Sequence, residues 1–435
     1  MIKNIFITAL IILSCLSSNC FAITEYKKVD LNDAIDIAQK KNLDIKAIRL
    51  NTKIAKNEIK QANRLQNPEI NTFWNFGKSG QGNPQQIGMT QTIELGKRGV
   101  RKKLAKANLE LVKEDVNFQE FNLRMDVREA YVKLVGAKSI LKTYEEQQKL
   151  LENLLEISKK KAAAGAIAEM DVIQAQIALN QMITEVNKAR VNVKTARIDF
   201  NQVINTIDGT YDSKDEELPT KGDFVDLNIP KITAKLPTYE YIEENSLKNR
   251  FDIKVAKNKI ESAKKNLAVV VHQRIPDLEL EGGYGFQTKG MSDNGTYKSG
   301  GYAGVNLVNL PVFYTYRPEI QNAKFQVEQA ETNYESTVNK ARKSLENAYE
   351  KFVTSQMNLN YYNNKLIKDS NELIKLSKRS YEAGKSNLTA LIVMEQQYRE
   401  IVSGYVNALS DYYIDWVEFL REINKEDFDI DEKTL

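Results

Sequence analysis

The sequence predicts a mainly α-helical membrane protein of the α+β class, built as two copies of one half. Three observations carry this: an internal repeat, helices far longer than a globular core needs, and two pairs of amphipathic strands. Asn42-Leu-Asp-Ile-Lys-Ala47, Ala55-Lys56 and Pro68-Glu-Ile70 recur at an offset of 208 as Arg250-Phe-Asp-Ile-Lys-Val255, Ala263-Lys264 and Pro276-Asp-Leu278. After a ten-residue slip that a loop would tolerate, Ala130-Tyr131 matches Ala348-Tyr349 at 218, and Ala164-Gly165 matches Ala383-Gly384 at 219. A period above 200 residues is too long for a solenoid and reads as a duplicated half-molecule.

Residues 1–22 read as a signal peptide: Lys3 precedes the apolar stretch Ile5 to Leu16, and Cys20-Phe-Ala22 favours cleavage before Ile23. The apolar stretch is too short to span a bilayer. A lipoprotein site at Cys15 is the second reading, against which Leu13 is bulky for the junction. The first structural repeat, 23–207, opens with a helix over Leu43 to Leu65. A β-hairpin over 69–95 follows: Ile70, Thr72, Trp74 and Phe76 alternate with Asn71, Phe73 and Asn75, and Ile87, Met89, Ile93 and Leu95 with Gly88, Thr90, Thr92 and Glu94.

No proline interrupts Gln85 to Leu218, and Ala130, Leu134, Ala137, Leu141, Tyr144, Leu151 and Leu155 form a stripe at spacings of three and four. That spacing predicts supercoiled packing. The long helix 97–160 would extend about 96 Å. Gly165 ends it in a tight turn, and a return helix covers 170–204. The return helix approaches the long helix in length only if the Leu43 to Leu65 segment stacks on its end. Each half then holds one continuous and one interrupted column.

A proline-punctuated linker, 208–239, joins the halves. The second repeat, 240–423, has a helix over Phe251 to Arg274, a β-hairpin 277–310, a long helix 319–379 and a return helix 388–422. An acidic tail occupies 424–435; it reads equally well as a packed segment or as a disordered one.

Net charge is +4 from 62 basic and 58 acidic residues spread evenly. This describes solvated helix faces and gives no support to a nucleic-acid partner. Both cysteines, Cys15 and Cys20, precede the cleavage site, so the mature chain has no disulfide or thiolate metal site. His272 is the only histidine, better read as filler than as a base or ligand. With no phosphate-binding loop and no nucleophile with its base, no catalytic, metal or cofactor residue is expected.

Each strand approaches the length of about 9 to 11 residues that crosses a membrane. Surface hairpins of a soluble protein are the plain alternative. Four strands cannot close a barrel, and lipid does not tolerate an open sheet edge. Strands that do cross must therefore be pooled: three chains give a 12-stranded β-barrel and twelve helical columns around one axis.

The duplicated helix, hairpin, long helix and return helix, with Gln91-Thr-Ile-Glu-Leu-Gly-Lys-Arg98 and Tyr381-Glu-Ala-Gly-Lys-Ser386, resemble the TolC-like outer membrane factors across essentially the whole mature chain. The Thr92 to Arg98 stretch is most similar to the branch paired with heavy-metal resistance-nodulation-division (RND) pumps. The resemblance implies a homotrimer in the outer membrane, whose β-barrel continues into a long periplasmic α-helical barrel. It implies a passive exit duct, without cofactor, for an inner-membrane transporter of RND type and a periplasmic adaptor. It also implies that the linker and tail pack as a belt around the helices.

Adaptor docking is then expected at the turns Ala164, Gly165, Ala166 and Ala383, Gly384, Lys385. Several members narrow the entrance with acids six and nine positions after the second turn glycine; here Ala390 and Val393 stand there. Candidate entrance acids are instead Glu169, Asp171 and Glu395, although the first two could simply favour the positive end of their helix. Trp74, Phe76, Tyr284, Phe286 and Tyr302 are candidate aromatics at the lipid interface, or ordinary strand packing. The alternative from another class is a periplasmic coiled-coil adaptor, which would carry one helical hairpin and more β structure.

Overall fold

The computed structural model describes residues 26–74, 85–207, 209–219, 236–286 and 299–426. In chain order these form β1 (Lys27–Val29), α1 (Leu31–Lys41), α2 (Leu43–Ala62), β2 (Glu69–Trp74), β3 (Gln85–Ile93), α3 (Lys97–Ala163) and α4 (Glu169–Ile204). Then come β4 (Tyr211–Ser213), α5 (Tyr239–Ser246), α6 (Phe251–His272), β5 (Asp277–Phe286), β6 (Gly300–Val308), α7 (Arg317–Tyr361), α8 (Ile367–Glu382) and α9 (Leu388–Ile423). α3, with 67 residues, is about 100 Å long.

Polar side chains at the helix ends build the interrupted columns. Asn42 accepts from the Ile45 amide, capping α2, while its Nδ2 donates to the carbonyls of Val203 and Ile204 at 3.0 and 3.1 Å. One residue thus satisfies donors opening one helix and acceptors closing another. The Leu43 amide bonds the Asn205 carbonyl at 3.1 Å, so α2 continues α4 end to end. Between α9 and α6, Arg250 Nη1 donates to the Glu422 carbonyl at 2.7 Å, and Asn424 Nδ2 donates to the Asn249 carbonyl at 3.1 Å. Asn205 and Asn424 both adopt the left-handed conformation, with φ of 45° and 58°, which asparagine tolerates best after glycine.

The largest apolar core lies at the level of these joints. Phe352 stacks on Tyr412 and Phe419 and touches Trp416, all essentially buried. Tyr131 packs edge-on against Phe200 and donates to Asp215 at 2.6 Å. The described part of the linker lies against this core: β4 pairs in parallel with β1, the Leu218 amide donates to Ser139 Oγ, and Tyr413 Oη donates to the Pro219 carbonyl. Lys138 and Arg197 both pair with the buried Asp212, at 3.1 and 3.0 Å. Of the tail, Glu426 docks on α3 through Arg124 at 2.7 Å and Arg128 at 2.9 Å; residues 427–435 lie outside the described ones.

A second, smaller core joins the far ends of the helical hairpins, with Leu151, Leu155, Leu179, Met182, Ile374, Leu388 and Leu391. The structure departs from the expected unbroken helix over 319–379, which carries a π-helical turn at Tyr362–Leu366 between α7 and α8. There the Tyr362 hydroxyl occupies the space a Gly404 side chain would need, and its ring meets Tyr405 at 6.2 Å. Such turns accommodate one extra residue without ending a helix.

Candidate functional site

One antiparallel sheet, in the order β2-β3-β5-β6, gathers both hairpins. Residues opposite one another share a face, and the register assigns each one. Ile70, Ile87, Met89, Leu280, Tyr284, Val305 and Leu307 share one face with Trp74 and Phe286, and each is between 38% and 72% exposed. The opposite face carries Glu69, Asn71, Gly88, Thr90, Glu279, Glu281, Gly283, Tyr302 and Asn306, together with the exposed Phe73. A largely apolar, exposed face, interrupted by Thr72, Gln85 and Gln91 and backed by a mainly polar one, suits lipid on one side and water on the other. Among the described residues no helix is long and apolar enough to cross a membrane.

The expected interface aromatics separate. Trp74, Tyr284 and Phe286 stand on the apolar face, the last two in edge contact at 5.0 Å; Phe76 lies outside the described residues. Tyr302 is a correction: it pairs with Gly283, on the polar face, and its ring reaches across that glycine.

The sheet is fastened to its helices by charge. Glu94 and Arg101 form a two-point ion pair where β3 turns into α3. Lys97 reaches the buried Asp277 at 2.8 Å, and Asn309 donates to the same carboxyl oxygen at 3.0 Å. These contacts involve the Gln91 to Arg98 stretch singled out in the sequence. His272 Nδ1 contacts the Ala268 carbonyl at 2.8 Å, one turn back.

At the opposite end, both turns have the same backbone. Gly165 and Gly384 have φ of 73° and 70°. The Gly165 and Ala166 amides bond the Ala162 and Lys161 carbonyls, and the Gly384 and Lys385 amides bond those of Tyr381 and Ser380. Each is a Schellman turn, satisfying the last helical carbonyls. No atom lies within 4 Å of where a side chain at either glycine would begin. Lys161 lies 4.2 Å from the Tyr381 ring centre, and Thr389 Oγ1 donates to Gln174 at 2.6 Å, tying the two turns side by side.

The acids also divide. Glu169 is exposed and Asp171 half-buried in the first turn of α4, and neither pairs with a described cation. Glu395 differs from the expected entrance residue: its residue exposure is 7%, and it pairs with Lys378 at 3.0 Å inside the protomer. Leu388 and Leu391 precede it by seven and four positions on the buried stripe of α9, the signal that places it inward.

The sequence matches the profile of the outer membrane efflux protein family over residues 34–206 and 243–419. The chain belongs to that family. It is an outer-membrane protein, and neither the family nor the fold is an enzymatic one. The alternative of a periplasmic adaptor falls with that membership. Nodulation protein T of Rhizobium leguminosarum bv. trifolii is 21% identical over 333 residues, 75% of this chain and 68% of that protein. The Campylobacter jejuni CmeC outer membrane channel shares the fold with a TM-score of 0.72 at 17% identity, covering 93% of this chain and 88% of its own. The open-state Neisseria gonorrhoeae MtrE outer membrane channel gives 0.71 at 18% identity, covering 91% and 89%.

Proposed function

We propose that this outer membrane efflux protein is a passive exit duct: a homotrimer whose three four-stranded sheets close a 12-stranded barrel in the outer membrane. The single observation that carries the reading is the sheet itself, whose two edges, β2 and β6, are unpaired among the described residues while its apolar face is exposed. An open edge in lipid leaves backbone groups unbonded at several kcal/mol each. Pairing β6 of one protomer with β2 of the next removes every edge. The helices then form the periplasmic extension, twelve columns from three protomers, with the described part of the inter-repeat linker, 209–219, lying against it.

In this reading the Gly165 and Gly384 turns face the inner membrane and receive a periplasmic adaptor, with an inner-membrane transporter of RND type supplying the energy. The heavy-metal branch rests on the Thr92 to Arg98 stretch. Glu169 and Asp171 remain the candidate entrance acids, and Trp74, Tyr284 and Phe286 the candidate interface aromatics. The test joins mass photometry of the detergent-solubilised protein with single-channel recording in planar bilayers. A trimer that conducts is expected; a stable monomer refutes the pooled barrel, and a silent trimer refutes the duct.

A further inference from the structure

The polar face of the sheet holds one arrangement that pairing alone does not require. Four residues stand in a row across the strands: Asn71 on β2, Gly88 on β3, Gly283 on β5 and Tyr302 on β6. Strand side chains ordinarily stand perpendicular to the sheet. Tyr302 does not: its hydroxyl passes over Gly283 and lies against Gly88, having crossed more than one strand spacing of about 4.8 Å. A Cβ on Gly283 would meet the β3 backbone first, overlapping the Ile87 carbonyl oxygen and lying 2.6 Å from the Gly88 Cα, and then the hydroxyl at 2.8 Å; a Cβ on Gly88 would overlap the hydroxyl itself. The absent side chain at Gly88, beside Gly283, therefore leaves the recess that the phenolic end of Tyr302 occupies.

Glycine within a strand costs stability and needs a local reason; a covering aromatic is a known compensation. The row below repeats the device: a Cβ on Gly304 would lie 2.6 Å from Glu281 Oε1, so that side chain also lies along the wall. Both long side chains are thus laid down against glycines on the same face.

We infer that Gly88, with Gly283 beside it, keeps the bore open at the level of the sheet by letting Tyr302 lie flat against its inner wall. The inference rests on the barrel reading above, in which the polar face lines the bore. Three tyrosines standing upright would crowd one level of the lumen; three lying flat leave it open. Passage at this level is then limited by the width of the cargo, and the recess specifies that width.

The test is single-channel recording of the purified protein. Gly88→Ala overlaps the mobile end of the ring most, with the Gly282 carbonyl oxygen next at 3.2 Å, so it should lift Tyr302 into the bore and lower conductance by more than ~10%, since conduction follows pore diameter. Tyr302→Ala should stay within that margin of wild type, and Gly88→Ala combined with Tyr302→Ala should return to it. Unchanged conductance in Gly88→Ala overturns the inference. So does a low-conducting double variant, or a comparable rise in Tyr302→Ala, which would mean that the ring already stands upright. Should Gly88→Ala fail to assemble, Tyr302→Trp, too large for the recess, must show the same fall; wild-type conductance there overturns the proposal. A silent wild type sinks the duct reading instead, and the recess is then judged by cryo-EM of wild type and Gly88→Ala: an unmoved ring refutes it.

Discussion

Lys378→Met should loosen the far ends of the helical hairpins without disturbing the rest of the molecule. Lys378 Nζ stands 3.0 Å from Glu395 Oε1; the lysine side chain is 36% exposed and the glutamate 8%. At that distance and an effective dielectric of about 20, the Coulomb attraction is ~5.5 kcal/mol. Desolvation of the carboxylate and solvent screening at the lysine offset much of it. Removing the cation leaves a buried carboxylate whose other oxygen, Oε2, already has no partner among the described residues. We therefore expect a net local loss of about 1.5–3 kcal/mol. Hydrogen exchange by mass spectrometry should report it as roughly 10-fold to 100-fold faster exchange for amides of α8 and α9 near Tyr381 and Glu395, at 1.4 kcal/mol per factor of ten. Amides around Phe352 and Trp416 should not change. The double variant Lys378→Met with Glu395→Leu should recover most protection, because apolar residues replace a buried pair at little cost. Unaltered exchange in the single variant, or no recovery in the double, would refute the claim that this pair holds the tip closed on itself.

Gly165→Val and Gly384→Val should abolish efflux in a susceptibility assay while mass photometry still shows the assembled trimer. The left-handed backbone there disfavours a β-branched residue by roughly 1–2 kcal/mol per turn, too little to unfold the protein. In the proposed duct, Asp171→Asn should shift ion selectivity modestly in planar bilayers, because there one carboxylate per protomer would set the potential of the entrance; identical reversal potentials would return the residue to a helix-end role. Asn42→Ala should lower the stability of the α2–α4 joint by about 1–2 kcal/mol, seen as lost protection at Leu43 to Ile45 and in the last turn of α4. Burial holds the Asp415 carboxyl above its ordinary value, so the ionised group destabilises the folded state. Asp415→Asn should therefore raise the thermal midpoint near neutral pH. The gain should vanish as pH falls through the raised folded value toward about 3.9, where both states bind the proton.

Long-range order was the legible part. Stripes at spacings of three and four located the columns, and Ala164-Gly165 and Ala383-Gly384 located their ends, because only a left-handed residue stops a helix so tightly. Asn42 and Arg250 were visible as repeat positions, but that their side chains join helices end to end requires partners 161 to 172 residues away. The face of Tyr302 was hidden for a local reason. Gly300, Gly301, Ala303 and Gly304 surround it and give the alternation no phase, so only the pairing register decides. Glu395 was drawn to the entrance by its charge, although its spacing from Leu388 and Leu391 already placed it inward. α1 had its signal too, Asp30 accepting from the Asp33 amide ahead of buried Leu31, Ala34, Ile35 and Ala38. The three-residue strands β1 and β4 are too short for any period to show.

The joint between α4 and α2 also has a mechanical meaning. A continuous rod, α3, lies beside a jointed one, and the joint is at the level of the larger core. Below it, α4 forms a lever of 36 residues, about 54 Å long. A pivot of about 5° at Asn42 and Asn205 would swing the lower end by ~5 Å, a displacement reached by bending α3 while every hydrogen bond within α4 stays intact. The lower column is thus jointed at the level of the larger core, while α3 beside it runs unbroken from the sheet to the Gly165 turn.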